Sequence, residues 1–198
     1  MNSIVEHNGK IEKKFAQLSL YQKALFLCLC CERQFTVYEN YSKDESWANP
    51  KGFRALLDAC WDWSISSGAI KIFQVPKTVD FLKIIQGQDA SGHASYPYYA
   101  LDYLFEFTKD KSLNYKNGSR DKPFSAECAT NIIDAYLYDG TFAKVTAEND
   151  QKIFQHPLMQ QEINRQISDL KRLSQENWTK LNWAEIKLET VGQNVLTL

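Results

Sequence analysis

The stretch "ALFLCLCCER", residues 24–33, constrains this chain more than any other. Eight apolar residues, 24–31, run straight into a carboxylate and a guanidinium, Glu32 and Arg33. Residues 19–41 hold no glycine or proline and read as one long helix. Leu18, Leu25, Cys28 and Leu29 form one apolar stripe on it, and Phe26, Cys30 and Val37 form a second. A helix that is apolar nearly all round must be enclosed by other elements. Glu32 lies one turn beyond Cys28 and Leu29 on the same stripe, so a carboxylate faces inward and needs a partner.

The rest of the chain offers the enclosing elements. Only 8 glycines and 5 prolines occur in 198 residues, which favours long helices over the many turns of an all-β chain. Pro50 suits the first turn of a second helix, residues 50–66, with Phe53, Leu57, Cys60, Trp61 and Ser64 inward. Shorter helical pieces are expected at 76–86 and 143–154. Residues 97–110 place Leu101, Leu104, Phe105 and Thr108 inward, and Ser125 is the expected cap of a helix carrying Ala129, Ile132, Ile133, Tyr136 and Leu137. After His156-Pro157 a long helix aligns Ile163, Ile167, Leu170, Trp178, Leu181 and Leu188 and stops near Gly192. The expectation is a single all-α domain, a bundle of about six to eight helices. Residues 1–16 read as a loosely ordered lead-in and 192–198 as an extended tail.

Several chemistries find no support. The formal charge of −1 gives no basic field for nucleic acid or an anionic membrane. The N-terminus has no apolar signal core, and no stretch approaches the roughly 18 apolar residues of a membrane span, so a cytoplasmic protein is expected. Phosphate loops, dinucleotide fingerprints and zinc-protease helices are missing, and Ser91, His93 and Ser95 match no triad spacing. The five cysteines read as reduced thiols that pack like small hydrophobes. Cys28 and Cys31 share a helix face but Cys30 does not, and His7, His93 and His156 fall in expected loops or the terminus. No catalytic residue, metal or cofactor is therefore assigned.

Two polar groupings remain. Arg54, Asp58 and Asp62 recur at four-residue spacing beside the apolar face of the second helix. Packed on the first helix, this predicts a structural ion cluster of Glu32, Arg33, Arg54 and Asp58. The alternative is a carboxylate metal or acid/base enzyme using Glu32, Asp58, Asp62 and Glu162, although such bundles use Glu-x-x-His pairs. The second grouping is a ridge of Asp102, Glu106 and Asp110, headed by Tyr98 and Tyr99 and extended by Asp134, Tyr138 and Asp139. Tyrosines beside carboxylates suit a basic protein partner, with aromatic rings as anchors and charge steering the approach.

"CERQFTVYENY" and "RALLDACW" resemble the YjaG-like family of small bacterial proteins of unknown function. The family's Cys-Glu-Arg, aromatic and tyrosine fall on Cys31, Glu32, Arg33, Phe35 and Tyr38, and its Arg-x-x-Leu-Asp-x-x-Trp on Arg54, Leu57, Asp58 and Trp61. Tyr96-Pro97, His156-Pro157 with Gln161-Glu162, and Gly192 with Asn194 continue the likeness in order across residues 17–195. Thr36 stands where the family has proline, and the "NYKNGSRDKP" loop is altered. The resemblance implies an all-helical single domain and brings no catalytic residues.

The resulting expectation is a non-enzymatic protein-binding module, specifically a cytoplasmic immunity protein that neutralises a cognate antibacterial toxin, with a nuclease among the candidates. A housekeeping protein of unknown function is the alternative. No nucleic acid or membrane partner is expected, and a homodimer is left open.

Overall fold

Eight α-helices and one short 3-10 turn account for nearly all of residues 3–41, 43, 49–70, 92–109, 122–140, 146–175, 177–191 and 193–197, which the computed structural model describes. In chain order they are α1 (Ile4–Ala16), α2 (Leu20–Tyr41), α3 (Pro50–Ile65), α4 (Gly92–Lys109), α5 (Phe124–Gly140), α6 (Ala147–Gln155), α7 (Pro157–Leu173), the 3-10 turn (Trp178–Lys180) and α8 (Trp183–Val191). No strand occurs among the described residues, and the fold is all-α.

Helix α2 is the axis. Every residue from 24 to 34 is at most 1% exposed, and α3, α4, α5, α7 and α8 all pack on it. Burying a side chain of Leu or Phe size contributes about 1.5–3 kcal/mol, so this enclosure is a major stabilising term. A larger core gathers α1, α2, α3, α4 and α8 around Phe26, Phe53 and Trp61. A smaller one joins α5, α6 and α7 through Ile132, Ile133, Phe154 and Met159.

Local chemistry sets the helix ends. Ser3 caps α1 by accepting from the Glu6 amide, Asn49 caps α3 with Pro50 behind it, and Thr146 caps α6. His156 caps α7 through Nδ1, again followed by proline. Past the end of α3, Gly68 has φ +79° and its N–H donates to the Trp63 carbonyl at 2.8 Å. A Cβ there would lie 2.8 Å from the Tyr21 hydroxyl, so that side chain would have to shift, and the positive φ itself favours glycine.

The structure departs from the sequence expectations at several places. Residues 4–16 are not a loose lead-in: they form α1, with His7, Ile11 and Phe15 buried. The tail is held too, since Val195 is 1% exposed and its N–H meets the Arg33 carbonyl at 3.3 Å. Helix α4 starts at Gly92 and carries Pro97 inside it. Packing of Pro97, Tyr98 and Leu101 there outweighs the hydrogen bond that proline cannot make. Ser125 lies within the first turn of α5 and donates to the Ala100 carbonyl at 2.9 Å, tying α5 to α4. The expected long last helix is broken after Leu173, where Ser174 caps α7, and Leu188 is 73% exposed. Tyr136 is likewise 45% exposed, on the outer face of α5. The helical piece expected at 76–86 lies outside the described residues.

Arg33 joins α2 to α7. Its Nε and Nη2 donate to the two oxygens of Glu162 at 2.9 and 3.0 Å, and Nη1 donates to Asp169 at 2.8 Å. Arg33 and Glu162 are at most 1% exposed. Arg33→Met should therefore destabilise the fold by about 3–5 kcal/mol, because two buried carboxylates lose their counter-charge. Replacing Glu162 and Asp169 by leucine as well should recover most of that loss. Urea unfolding of the two variants, followed by far-UV circular dichroism, checks both outcomes.

Candidate functional site

Glu32 and Arg33 are neighbours in sequence but project about 100° apart on the helix, so they serve different interfaces. Glu32 turns to α3, where both its oxygens accept from Arg54 and Oε2 also accepts from the Trp61 indole N–H at 2.9 Å. Arg54 continues to Asp58 at 2.8 Å, and Asp58 accepts from Lys187 of α8. The Arg54 guanidinium lies over the Phe35 ring, 5.2 Å from its centroid. Arg33 does not join this group. The four residues expected as one cluster are thus divided between two networks, one linking α2, α3 and α8 and one linking α2, α7 and α1.

The Arg33 network reaches α1 through Gln166. Gln166 donates to Glu162 at 3.0 Å and to the Ala126 carbonyl at 3.1 Å, and its oxygen accepts from His7 Nε2 at 2.8 Å. Burial pushes the Asp169 carboxyl up against the pull of Arg33, while Glu162 and Asp169 hold the Arg33 guanidinium firmly charged. His7, Gln166, Asp169 and Lys187 were not anticipated. One signal did exist for the histidine: His7, Ile11 and Phe15 recur at four-residue spacing, the stripe that α1 buries.

These networks leave little room for ligand chemistry. Both oxygens of Glu32 and of Glu162 are occupied by protein donors, and Asp62 is exposed and apart from them. Among the described residues no group of three or more His, Cys, Asp or Glu side chains gathers as a metal site. All five cysteines are buried and free. Burial pushes the thiols of Cys28, Cys30, Cys31 and Cys128 well up, and for Cys30 it outweighs the nearby Arg33. Among the described residues no helix is long and apolar enough to cross a membrane.

The surface residues sort differently from the expected ridge. Tyr98 is only 6% exposed and belongs to the core, because α4 turns that face toward its neighbours; Tyr99, one position on, is 46% exposed. Asp102 and Glu106 are half-buried. Asp110 and the side chain of Asp139 lie outside the described residues. Asp134, by contrast, lines a groove of about 460 Å³ between α1, α5 and α6, and Tyr138 is tied to it through Asp150. Ser3, Ile4 and Val5 form one wall, and Asp134, Ala147, Asp150 and Gln151 form the other. Asp150 accepts the Tyr138 hydroxyl, which pushes that phenol up to about 12. Burial and the Asp150 charge push the Asp134 carboxyl up. Burial pushes the Tyr96 phenol of α4 up, with smaller contributions from Cys128, Asp134 and Tyr99.

Apart from His7, the residues that build both networks fall within a family match. The family described as "Protein of unknown function (DUF416)" matches residues 10–195, nearly the whole chain. The chain belongs to this family. Among solved structures, the chain is similar to a DUF416 family protein from Shewanella baltica OS155, with a TM-score of 0.64 and 16% identity. That match covers 92% of this chain and 97% of the other, and at such identity the likeness is one of fold. No curated protein matches the chain. His7 and the groove wall of Ser3, Ile4 and Val5 precede the residues that the DUF416 family matches.

If the thiols are core atoms, none of the five should react with a thiol reagent such as Ellman's in the folded protein, and all five should react in denaturant. Fast labelling of even one thiol in native buffer would contradict this placement.

Proposed function

We propose that this DUF416 protein is a non-catalytic binding module that uses the strip formed by Tyr99, Asp134, Tyr138 and Asp150 to hold a basic protein. The observation that carries this reading is the groove. Asp134 and Asp150 act on each other electrostatically there, and among its described lining residues none is basic. A cation placed between two like charges relieves their repulsion, so a lysine or arginine side chain is the complementary occupant. Ile4 and Val5, the latter 81% exposed, would cover the aliphatic stem of such a side chain. Tyr99 would anchor the rim, while Asp102 and Glu106 would steer the approach.

The concrete form of this reading is a cytoplasmic immunity protein. It would neutralise a cognate antibacterial toxin by covering a cationic surface, and a nuclease cleft has the matching charge. The internal arrangement supports this assignment: the buried carboxylates of α2 and α7 are engaged in bracing helices, which leaves binding to the exterior.

Deca-lysine is a direct probe of the surface. The double variant Asp134→Lys/Asp150→Lys should bind it about tenfold more weakly at low salt, with the difference shrinking as salt rises. Glu185→Lys, on the exposed face of α8, should leave binding unchanged. Co-expression with the product of the adjacent reading frame tests the toxin assignment. The wild-type chain should restore growth and the double variant should not. Equal protection by both would refute the surface, and no protection by either would refute the toxin.

A further inference from the structure

His7 is the one histidine buried in the interior among the described side chains, at 0% exposure, and its surroundings fix which ring nitrogen carries the proton. Both amide hydrogens of Gln166 are directed elsewhere, to Glu162 and to the Ala126 carbonyl. The Gln166 oxygen is therefore turned to His7, and Nε2 must be the N–H that donates to it at 2.8 Å. That leaves Nδ1 as a bare acceptor, buried and without a partner. A second proton would land on Nδ1, creating a charge and an N–H donor with nothing to receive it.

We propose that α1 is an acid-released latch, in which protonation of buried His7 undocks α1 from α7 and takes down the groove wall formed by Ser3, Ile4 and Val5. The wall and the latch are parts of one short helix: Ile4 sits one turn before His7, and α7 is the principal neighbour of α1. Release of the helix removes the lip against which a basic side chain would pack. This gating of the groove rests on the reading of the groove as a partner site; the latch itself does not.

The charges around His7 do not rescue the protonated form. Glu162 of α7 attracts a proton, but its oxygens already serve Arg33 of α2 and Gln166. Asp169 of α7 is held by Arg33, and Lys10 on α1 itself repels a proton while pairing with Glu6 at 3.2 Å. On the α5 side lies Glu127, whose carboxyl is pushed up by burial and by the charge of Glu12 against the pull of Lys122, and which is not among the charges that act on His7. Burial is the largest influence and pushes the His7 imidazole below its ordinary value of 6.5. The sign follows: docked α1 binds fewer protons than released α1. The stabilisation by His7 is complete above the ordinary histidine value and is lost as pH falls through the depressed one. Asp134 also gains a proton in acid, which weakens the charge of the groove but leaves α1 in place.

Hydrogen exchange on the free protein separates these effects. In the wild type, protection of amides 7–16, corrected for intrinsic rates, should fall in mild acid by up to about tenfold per pH unit relative to α2. His7→Gln, which keeps a donor for Gln166 and cannot titrate, should abolish that extra loss. Protection of α1 that tracks α2 at every pH, or an extra loss that persists in His7→Gln, would overturn the latch. An NMR titration of the His7 imidazole decides independently of whether the variant folds. A midpoint below 6.5 supports the proposal and one at or above it refutes it. Deca-lysine then tests the gating: acid should weaken its binding more in the wild type than in His7→Gln. An equal loss in both overturns the gating alone, and absence of deca-lysine binding at neutral pH overturns the groove reading while the exchange result stands.

Discussion

The buried guanidinium of Arg33 is the contact on which the arrangement of this bundle depends. Hydrophobic burial draws α2 to the centre, but apolar contacts tolerate rotation and sliding of one helix along another. A planar fork that must meet Glu162 with two nitrogens and Asp169 with a third tolerates neither. It sets α7 at one rotation and one height on α2. Helix α7 then presents Gln166 to His7, and so the position of α1 and of the groove wall is inherited from the same pair. The C-terminal segment returns to the same residue, with the Val195 amide on the Arg33 carbonyl.

Glu32 performs the corresponding task on the other side of α2. Its two oxygens take Arg54 and Trp61 of α3, and Asp58 passes the connection to Lys187 of α8. Such pairs are poor sources of net stability, because desolvating the ions cancels much of their attraction. Their value here is geometric. Two consecutive residues of opposite charge assign different helices to different faces of the same axis, and an exchange of those partners would leave both charges buried beside like charges. The half-exposed outer members, Arg54, Asp58 and Lys187, soften the cost by keeping part of this network in water.

With the interior occupied in this way, the surface carries what is distinctive. Asp134 and Asp150 come from different helices, sit beside an apolar lip from a third, and lack a basic neighbour among the described groove residues. The fold alone assigns no activity, since unrelated functions share helical bundles. Complementarity in charge and shape at the groove, rather than membership of the DUF416 family, is what supports a basic partner.

The sequence by itself determined that α2 would be central, because eight consecutive apolar residues on a helix cannot be left facing water. It also determined the starts of α3 and α7, where proline follows a capping residue, and the pairing of Arg54 with Asp58 one turn away. These are local effects, written within a few residues. Only the tertiary structure decided that Arg33 would leave Glu32 and Arg54 for Glu162 and Asp169, 129 and 136 residues away. It likewise decided that Tyr98 would be buried while Tyr99 stayed exposed, and that His7 would lie in the core. The physical reason is the same in each case. Spacing tells which side chains share a face of one helix, but which helix that face meets depends on how all the helices pack together, and no short stretch of sequence contains that information.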